Sequence, residues 1–168
     1  MENSLKEYIK NSWLQAVREK KDGELKLPYP FVPPCLQGDF LVLYYWDTYF
    51  TNVGLIADEK TEYAKYNVDN LLYALDCFGC VPNYTRDDGA KWCSQPPLLR
   101  LMVEDVYKAT KDENWHQTAL LMLEKEFVRT GKLWERYDEN GVVKGLEYET
   151  QPMLGWTAGV YNYFWGQR

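Results

Sequence analysis

The chain has 168 residues, 46% of them hydrophobic, with 25 acidic against 19 basic side chains and a net charge of −6. That length and composition fill one core without approaching membrane composition, and no run of about eighteen apolar residues is present, so one compact domain without a membrane partner is expected. The basic residues are scattered and gather no electrostatic footprint, which argues against a nucleic-acid partner.

The start of the chain passes directly into a charged amphipathic pattern without an apolar leader, and a cytoplasmic setting is the expectation. Ser4-Leu5-Lys6-Glu7 is a capping-box pattern, and Leu5, Ile9, Trp13 and Val17 recur at helical spacing until Lys20-Lys21-Asp22-Gly23 ends the element. Prolines at 28, 30, 33 and 34 remove donors and fix φ, which predicts an extended arm running over the surface. A second helix is predicted from near Asp47 to about Asp58, and a third from Thr61 to Phe78 that buries Ala64, Val68, Leu71, Leu72 and Leu75 and stops at Gly79. Ser94 is placed as the N-cap of a fourth helix, with Pro96 and Pro97 in its first turn and Leu99, Met102, Val106 and Ala109 on its inner face. A fifth spans about Glu113 to Phe127 through Trp115, Ala119, Leu120 and Leu123. Residues 129–151 read as irregular, with Glu139-Asn140-Gly141 as a turn between short extended pieces, and a sixth helix starts near Pro152 and runs through Val160 and Tyr161 to Phe164. The class is all-α, about six helices with long irregular loops.

Four cysteines stand at 35, 77, 80 and 93. Cys77-Phe78-Gly79-Cys80 has the CxxC spacing that grips zinc or performs redox exchange, but no second CxxC follows and His116 is the only histidine. The expectation is reduced, metal-free thiols and no cofactor. Seven Trp and fourteen Tyr suit both an aromatic core and a sugar cleft, where rings cover C–H faces and polar tips bond hydroxyls.

Glycoside hydrolysis needs two carboxyl groups flanking the scissile bond. Asp47, Glu135, Asp138, Glu147 and Glu149 sit among aromatic residues and qualify as candidates. Each has a plainer reading: Asp47 as a helix N-cap, Glu135 as a surface ion pair, Glu147 and Glu149 as solvated charges flanking Tyr148.

Five phrases change this balance: Leu43-Tyr44-Tyr45-Trp46-Asp47-Thr48-Tyr49-Phe50, Val81-Pro82-Asn83, Ser94-Gln95-Pro96-Pro97-Leu98, Trp134-Glu135-Arg136-Tyr137-Asp138, and Glu147-Tyr148-Glu149 running on to Gly155-Trp156-Thr157. Taken together and in this order, they resemble the active-site rim of the trehalase family, inverting glycosidases built as (α/α)6 toroids. The resemblance implies that Trp46 and Asp47 bind one glucosyl unit, that Asn83, Ser94, Gln95 and Trp156 contact sugar, that Glu135 is the general base and that Glu147 binds near it. The family's acid would be an aspartate on a segment this chain lacks. Asp39 and Cys93 stand where the family carries arginines, so a small α-glycoside other than trehalose fits better.

A complete toroid of twelve helices needs on the order of 350 residues. The chain therefore reads as one shortened toroid domain over residues 1–168, with an apparent join near 127–130. Its expected function is trehalase-like hydrolysis of an α-linked disaccharide or small glycoside by inversion, weak or absent for want of the acid. The alternative is a non-catalytic sugar-binding remnant or a self-associating subunit. A homodimer through the face of Trp115, Leu120, Leu123 and Phe127 follows from the loss of neighbouring helices.

Overall fold

The computed structural model describes residues 2–19, 26–86, 98–130, 137–138 and 141–142. Five helices carry these residues: α1 (Glu2–Ala16), α2 (Tyr45–Ala57), α3 (Thr61–Phe78), α4 (Leu99–Thr110) and α5 (Glu113–Thr130). The short extended pieces expected near residue 140 are β1 (Tyr137–Asp138) and β2 (Gly141–Val142), antiparallel, with Tyr137 opposite Val142. The sixth helix expected from Pro152 lies outside the described residues. Each central helix packs on the next and on the one after it, α2 on α3 and α4, α3 on α4 and α5, which is the pattern of an α/α arc. None of the helices among the described residues is long and apolar enough to cross a membrane.

α3 is the spine of this arc, because Ala64, Val68, Leu71 and Ala74 share one face at i, i+4, i+7 and i+10 and are all fully buried. Leu55 of α2, Met102, Val103 and Val106 of α4 and Ala119 of α5 complete the core. Gly79 ends α3 in the left-handed region, with φ at 71° and its N–H donating to Leu75 O at 2.8 Å. Asp112 caps α5 by accepting the Trp115 N–H at 3.0 Å. α4 and α5 are further clasped by Glu104, which takes Arg100 at 2.9 Å and His116 at 3.0 Å.

α1 already includes Glu2, so Ser4 lies inside the helix and is not its cap. Of the predicted apolar stripe only the second half is used: Trp13 and Val17 pack against the core, while Leu5 and Ile9 are exposed at 60% and 40%. Trp13 anchors the helix. Its indole N–H donates to Asp58 Oδ2 at 2.6 Å, and its ring edge lies where Gly54 leaves α2 without a side chain. A Cβ at Gly54 would stand 2.8 Å from Trp13 Cζ2. Gly54→Ala is expected to lose stability, because displacing a hydrogen-bonded ring costs about 1–3 kcal/mol and exceeds the roughly 1 kcal/mol of helix propensity gained. A thermal melt checks this; a variant more stable than the parent would show that Trp13 yields freely.

The proline-rich arm departs from expectation. It does not run over the surface: Leu27, Phe31 and Val32 are 7%, 2% and 1% exposed. Two asparagines on α3 make this burial possible. Asn70 accepts the Tyr29 N–H at 3.1 Å and donates to Tyr29 O at 3.0 Å, and Asn67 accepts the Val32 N–H at 3.0 Å. Asn67 also donates to Asn52 Oδ1 at 2.9 Å, and Asn52 donates to Ala64 O at 3.1 Å, so a connected polar network links α2, α3 and the arm. On its other side the arm pairs with Arg18 through reciprocal backbone bonds from Phe31 of 2.8 and 2.9 Å.

The apolar face expected on α5 is largely covered. Trp115, Leu120 and Leu123 pack against the core, and the Trp115 N–H donates to Asp69 Oδ1 at 2.6 Å while Lys65 pairs with the other Asp69 oxygen at 2.7 Å. Leu121, 69% exposed, faces away. The side chain of Phe127 lies outside the described residues. Ala109 is exposed, so the inner face of α4 ends at Val106.

Candidate carbohydrate site

Two segments far apart in sequence meet at the start of α2. The Tyr45 N–H donates to Asn83 O at 3.0 Å, the Thr85 N–H donates to Leu43 O at 3.0 Å, and the Leu43 N–H donates to Thr85 Oγ1 at 3.1 Å. Tyr44 and Tyr84 form the antiparallel bridge between these bonds. The strip places Asn83 beside the first turn of α2, where Trp46 and Asp47 stand. Asp47 is inside that turn and Tyr44 holds the cap position, so Asp47 is not the N-cap; its charge still faces the positive end of the helix.

Trp46 is 45% exposed, and Phe50 and Val53 follow it on the same face at i+4 and i+7, exposed at 68% and 48%. Phe40, Tyr44 and Tyr84 form a row of rings at the strip itself, with centroids 5.3 Å apart for the first pair and 5.7 Å for the second. Phe40, Phe50 and Arg86 are missing from the sequence-based set. The Arg86 guanidinium donates to Asp39 O at 3.2 Å, which puts a cation beside that backbone carbonyl. Its position three residues after the Val81-Pro82-Asn83 phrase is the signal the sequence offered.

On the opposite side of α2, Tyr45 is 3% exposed and its hydroxyl accepts the Leu99 N–H at 2.8 Å, satisfying one of the open donors at the start of α4. Leu98 occupies the α4 cap position, later than the Ser94 cap expected. Burial pushes the Tyr45 hydroxyl far above the ordinary value of 10.0, and the contacts with the Leu99 and Leu98 backbone oppose this only in part. Because the folded value is raised, the contribution of Tyr45 to stability is complete below pH 10 and is lost as pH rises above that value. Tyr45→Phe should cost about 1–2 kcal/mol at pH 7 by orphaning the Leu99 N–H, and should flatten the loss of stability above pH 10. Denaturant melts from neutral to alkaline pH test both; parallel pH profiles for parent and variant would contradict the second.

Ser94, Gln95, Glu135, Glu147, Glu149 and Trp156 lie outside the described residues, and Asp138 is described only as part of β1. Of the predicted site residues, the structure sets the backbone of Asn83 beside the first helical turn that carries Trp46 and Asp47. Among the described residues no group of three or more His, Cys, Asp or Glu is placed to hold a metal ion. One cysteine reading is corrected: Cys80, 4% exposed, is disulfide-bonded, while Cys35 and Cys77 are free.

An arc of paired helices in which each packs on the next is the architecture of one sector of an all-α toroid. The sequence model of one family, described as Trehalase, matches residues 1–127. The chain belongs to the trehalase family of glycosidases. A periplasmic trehalase of Xanthomonas campestris is 35% identical over 131 residues, covering 75% of this chain and 22% of its own length. A trehalase of Bombyx mori is 37% identical over 117 residues, covering 66% of this chain and 19% of its own. The neutral trehalase of Saccharomyces cerevisiae superposes with a TM-score of 0.51 at 23% identity, covering 77% of this chain and 25% of its own, and shows the fold to be part of an (α/α)6 toroid. The chain spans about a fifth of the length of the curated relatives it matches. The expectation of a cytoplasmic setting is overturned: the bacterial relatives are periplasmic trehalases, and a disulfide at Cys80 belongs with oxidising compartments.

Proposed function

We propose that the chain is a shortened trehalase-like domain that binds a small α-linked disaccharide or glycoside on the ledge at the start of α2. The observation that carries this reading is the antiparallel strip that holds Asn83 against the turn bearing Trp46 and Asp47. The Trp46 ring covers the C–H face of a glucosyl unit, and Asp47 and Asn83 bond its hydroxyls. Arg86 supplies a cation near the place of the absent arginine at position 39. Ser94, Gln95, Glu147 and Trp156 add sugar contacts, and Glu135 acts as the base that activates water for inversion. The domain is a single unit with its join near 127–130, a boundary supported by the family match ending at residue 127.

Lacking the acid, the chain turns substrate over weakly or not at all, since a general acid contributes typically about 10²–10⁴ in rate. Glucose release from trehalose and from 4-nitrophenyl α-glucoside tests this. The expected rate is at least about 100-fold below that of a full-length trehalase, and Glu135→Gln removes what remains. A rate equal to the full-length enzyme would sink the shortened-domain reading. Weak turnover with retained binding also accommodates a sugar-binding subunit that self-associates, a reading favoured by the exposed Leu5, Tyr8 and Ile9 of α1. Sedimentation over a hundredfold concentration range separates a homodimer from a monomer.

A further inference from the structure

We propose that Thr85 is a positioning residue for the sugar face, its hydroxyl fixing the register in which Asn83 meets the first turn of α2. The inference rests on the carbohydrate reading above and assigns that face a residue that does not itself touch the sugar. The antiparallel bridge of Tyr44 and Tyr84 is flanked by two backbone bonds of 3.0 Å, Tyr45 N–H to Asn83 O and Thr85 N–H to Leu43 O. In a regular antiparallel ladder Leu43 and Thr85 would exchange both backbone bonds, so the Leu43 N–H would go to the Thr85 carbonyl. Here the Thr85 hydroxyl accepts it, at 3.1 Å. The side chain closes the ladder, and the backbone leaves toward Arg86, whose guanidinium reaches Asp39 O at 3.2 Å.

This bond matters because the strip is short. The ladder does not extend past Tyr45, where α2 begins and where Pro82 on the facing segment has no N–H to donate. A pair held by two backbone bonds is weakly specified in register. A slip of one residue would turn every side chain of the segment to the other face, and a slip of two would carry Asn83 about 7 Å along α2's entry. The third bond ties the segment to a fixed point: Leu43 is fully buried and clusters with Leu27 and Phe31 of the arm. Thr85 is itself 2% exposed, so little water competes for its hydroxyl. The hydroxyl therefore passes the anchoring of the arm to the segment that carries Asn83.

The experiment compares the full chain with Thr85→Val, which keeps the branched shape and loses the acceptor, and Thr85→Ser, which keeps the acceptor. Amide exchange is followed without sugar at Tyr45, whose bond to Asn83 O reports the strip, and at Leu71 in the middle of α3; trehalose affinity is then read by titration and corrected for the folded fraction. In Thr85→Val the Tyr45 amide should exchange at least about fivefold faster relative to Leu71, as expected for one lost buried bond, and affinity should fall by a similar factor. In Thr85→Ser both should stay within about twofold of the parent. A purely structural role would speed Tyr45 and Leu71 together and leave the corrected affinity unchanged, and that result overturns the proposal. Should the valine variant not fold, Thr85→Ser still decides: loss of Tyr45 protection beyond that at Leu71, with the hydroxyl present, also overturns it. A parent that shows no trehalose binding strikes the carbohydrate reading alone, because the sugar-free exchange at Tyr45 upholds or refutes the role of the hydroxyl by itself.

Discussion

Replacing Asn67 by leucine lowers stability by about 3 kcal/mol, the largest effect expected from a single change in the core. Asn67 is completely buried and serves two partners, accepting the Val32 N–H and donating to Asn52 Oδ1. Leucine has similar volume but offers neither group, so a buried backbone donor and a buried amide oxygen are both orphaned, at roughly 1–3 kcal/mol each. The added apolar surface returns only part of this, about 1 kcal/mol. For a chain of this size each kcal/mol corresponds to about 2–4 °C, so the midpoint should fall by roughly 6–12 °C. Amide exchange gives the mechanism: Val32 and its neighbours in the arm should lose protection before α4 does. A variant that melts within a degree or two of the parent would mean that the arm is held by Arg18 pairing and apolar burial alone.

The helices were legible because their apolar residues recur at one period, and α3 was placed at its observed bounds from Thr61 to Phe78. Less legible was everything decided by a distant partner. Asn67 and Asn70 lie on the same face as Ala64 and Leu71, and polar residues at buried helical spacing are a usable signal for a network; which segment they bind depends on tertiary approach. The arm reads as an extended surface segment because prolines describe its conformation and say nothing about which groups satisfy its N–H donors. Cys80 was read as reduced because disulfide connectivity is not contained in spacing. Trp115 reads from the sequence as an apolar residue in need of a partner, and Asp69 and Lys65 cover it from α3. At the site, two phrases of the sequence name Trp46, Asp47 and Asn83, whereas Arg86 stands out only through its bond to Asp39 O.

Trp46→Ala weakens sugar binding at least about tenfold, the largest functional effect expected among the described residues. Trp46 offers nearly half of its surface to solvent at the head of the Phe50 and Val53 stripe, and truncation removes the flat face that the proposed function assigns to a pyranose. Loss of one aromatic platform forfeits on the order of 1.5–3 kcal/mol of apolar contact, which corresponds to a factor of ten or more. Stability should hardly change, because the ring is not part of the core, and this separates Trp46→Ala from Tyr45→Phe at the adjacent position. Calorimetric titration of both variants with trehalose reads the difference: Tyr45→Phe should bind like the parent once corrected for its folded fraction, and Trp46→Ala should not.

The central claim is that one carbohydrate face survives at the junction of the α2 start and the Asn83 strip. A ¹⁵N-resolved NMR titration with trehalose tests it most directly, following the indole N–H of Trp46, the side-chain amide of Asn83 and the indole N–H of Trp115 in the same spectra. The account predicts that Trp46 and Asn83 shift together along one saturating isotherm while Trp115, hydrogen-bonded to Asp69 on the far helix, stays still. Saturating shifts at Trp115 with Trp46 and Asn83 unmoved, or no shifts at all up to molar sugar, would contradict it.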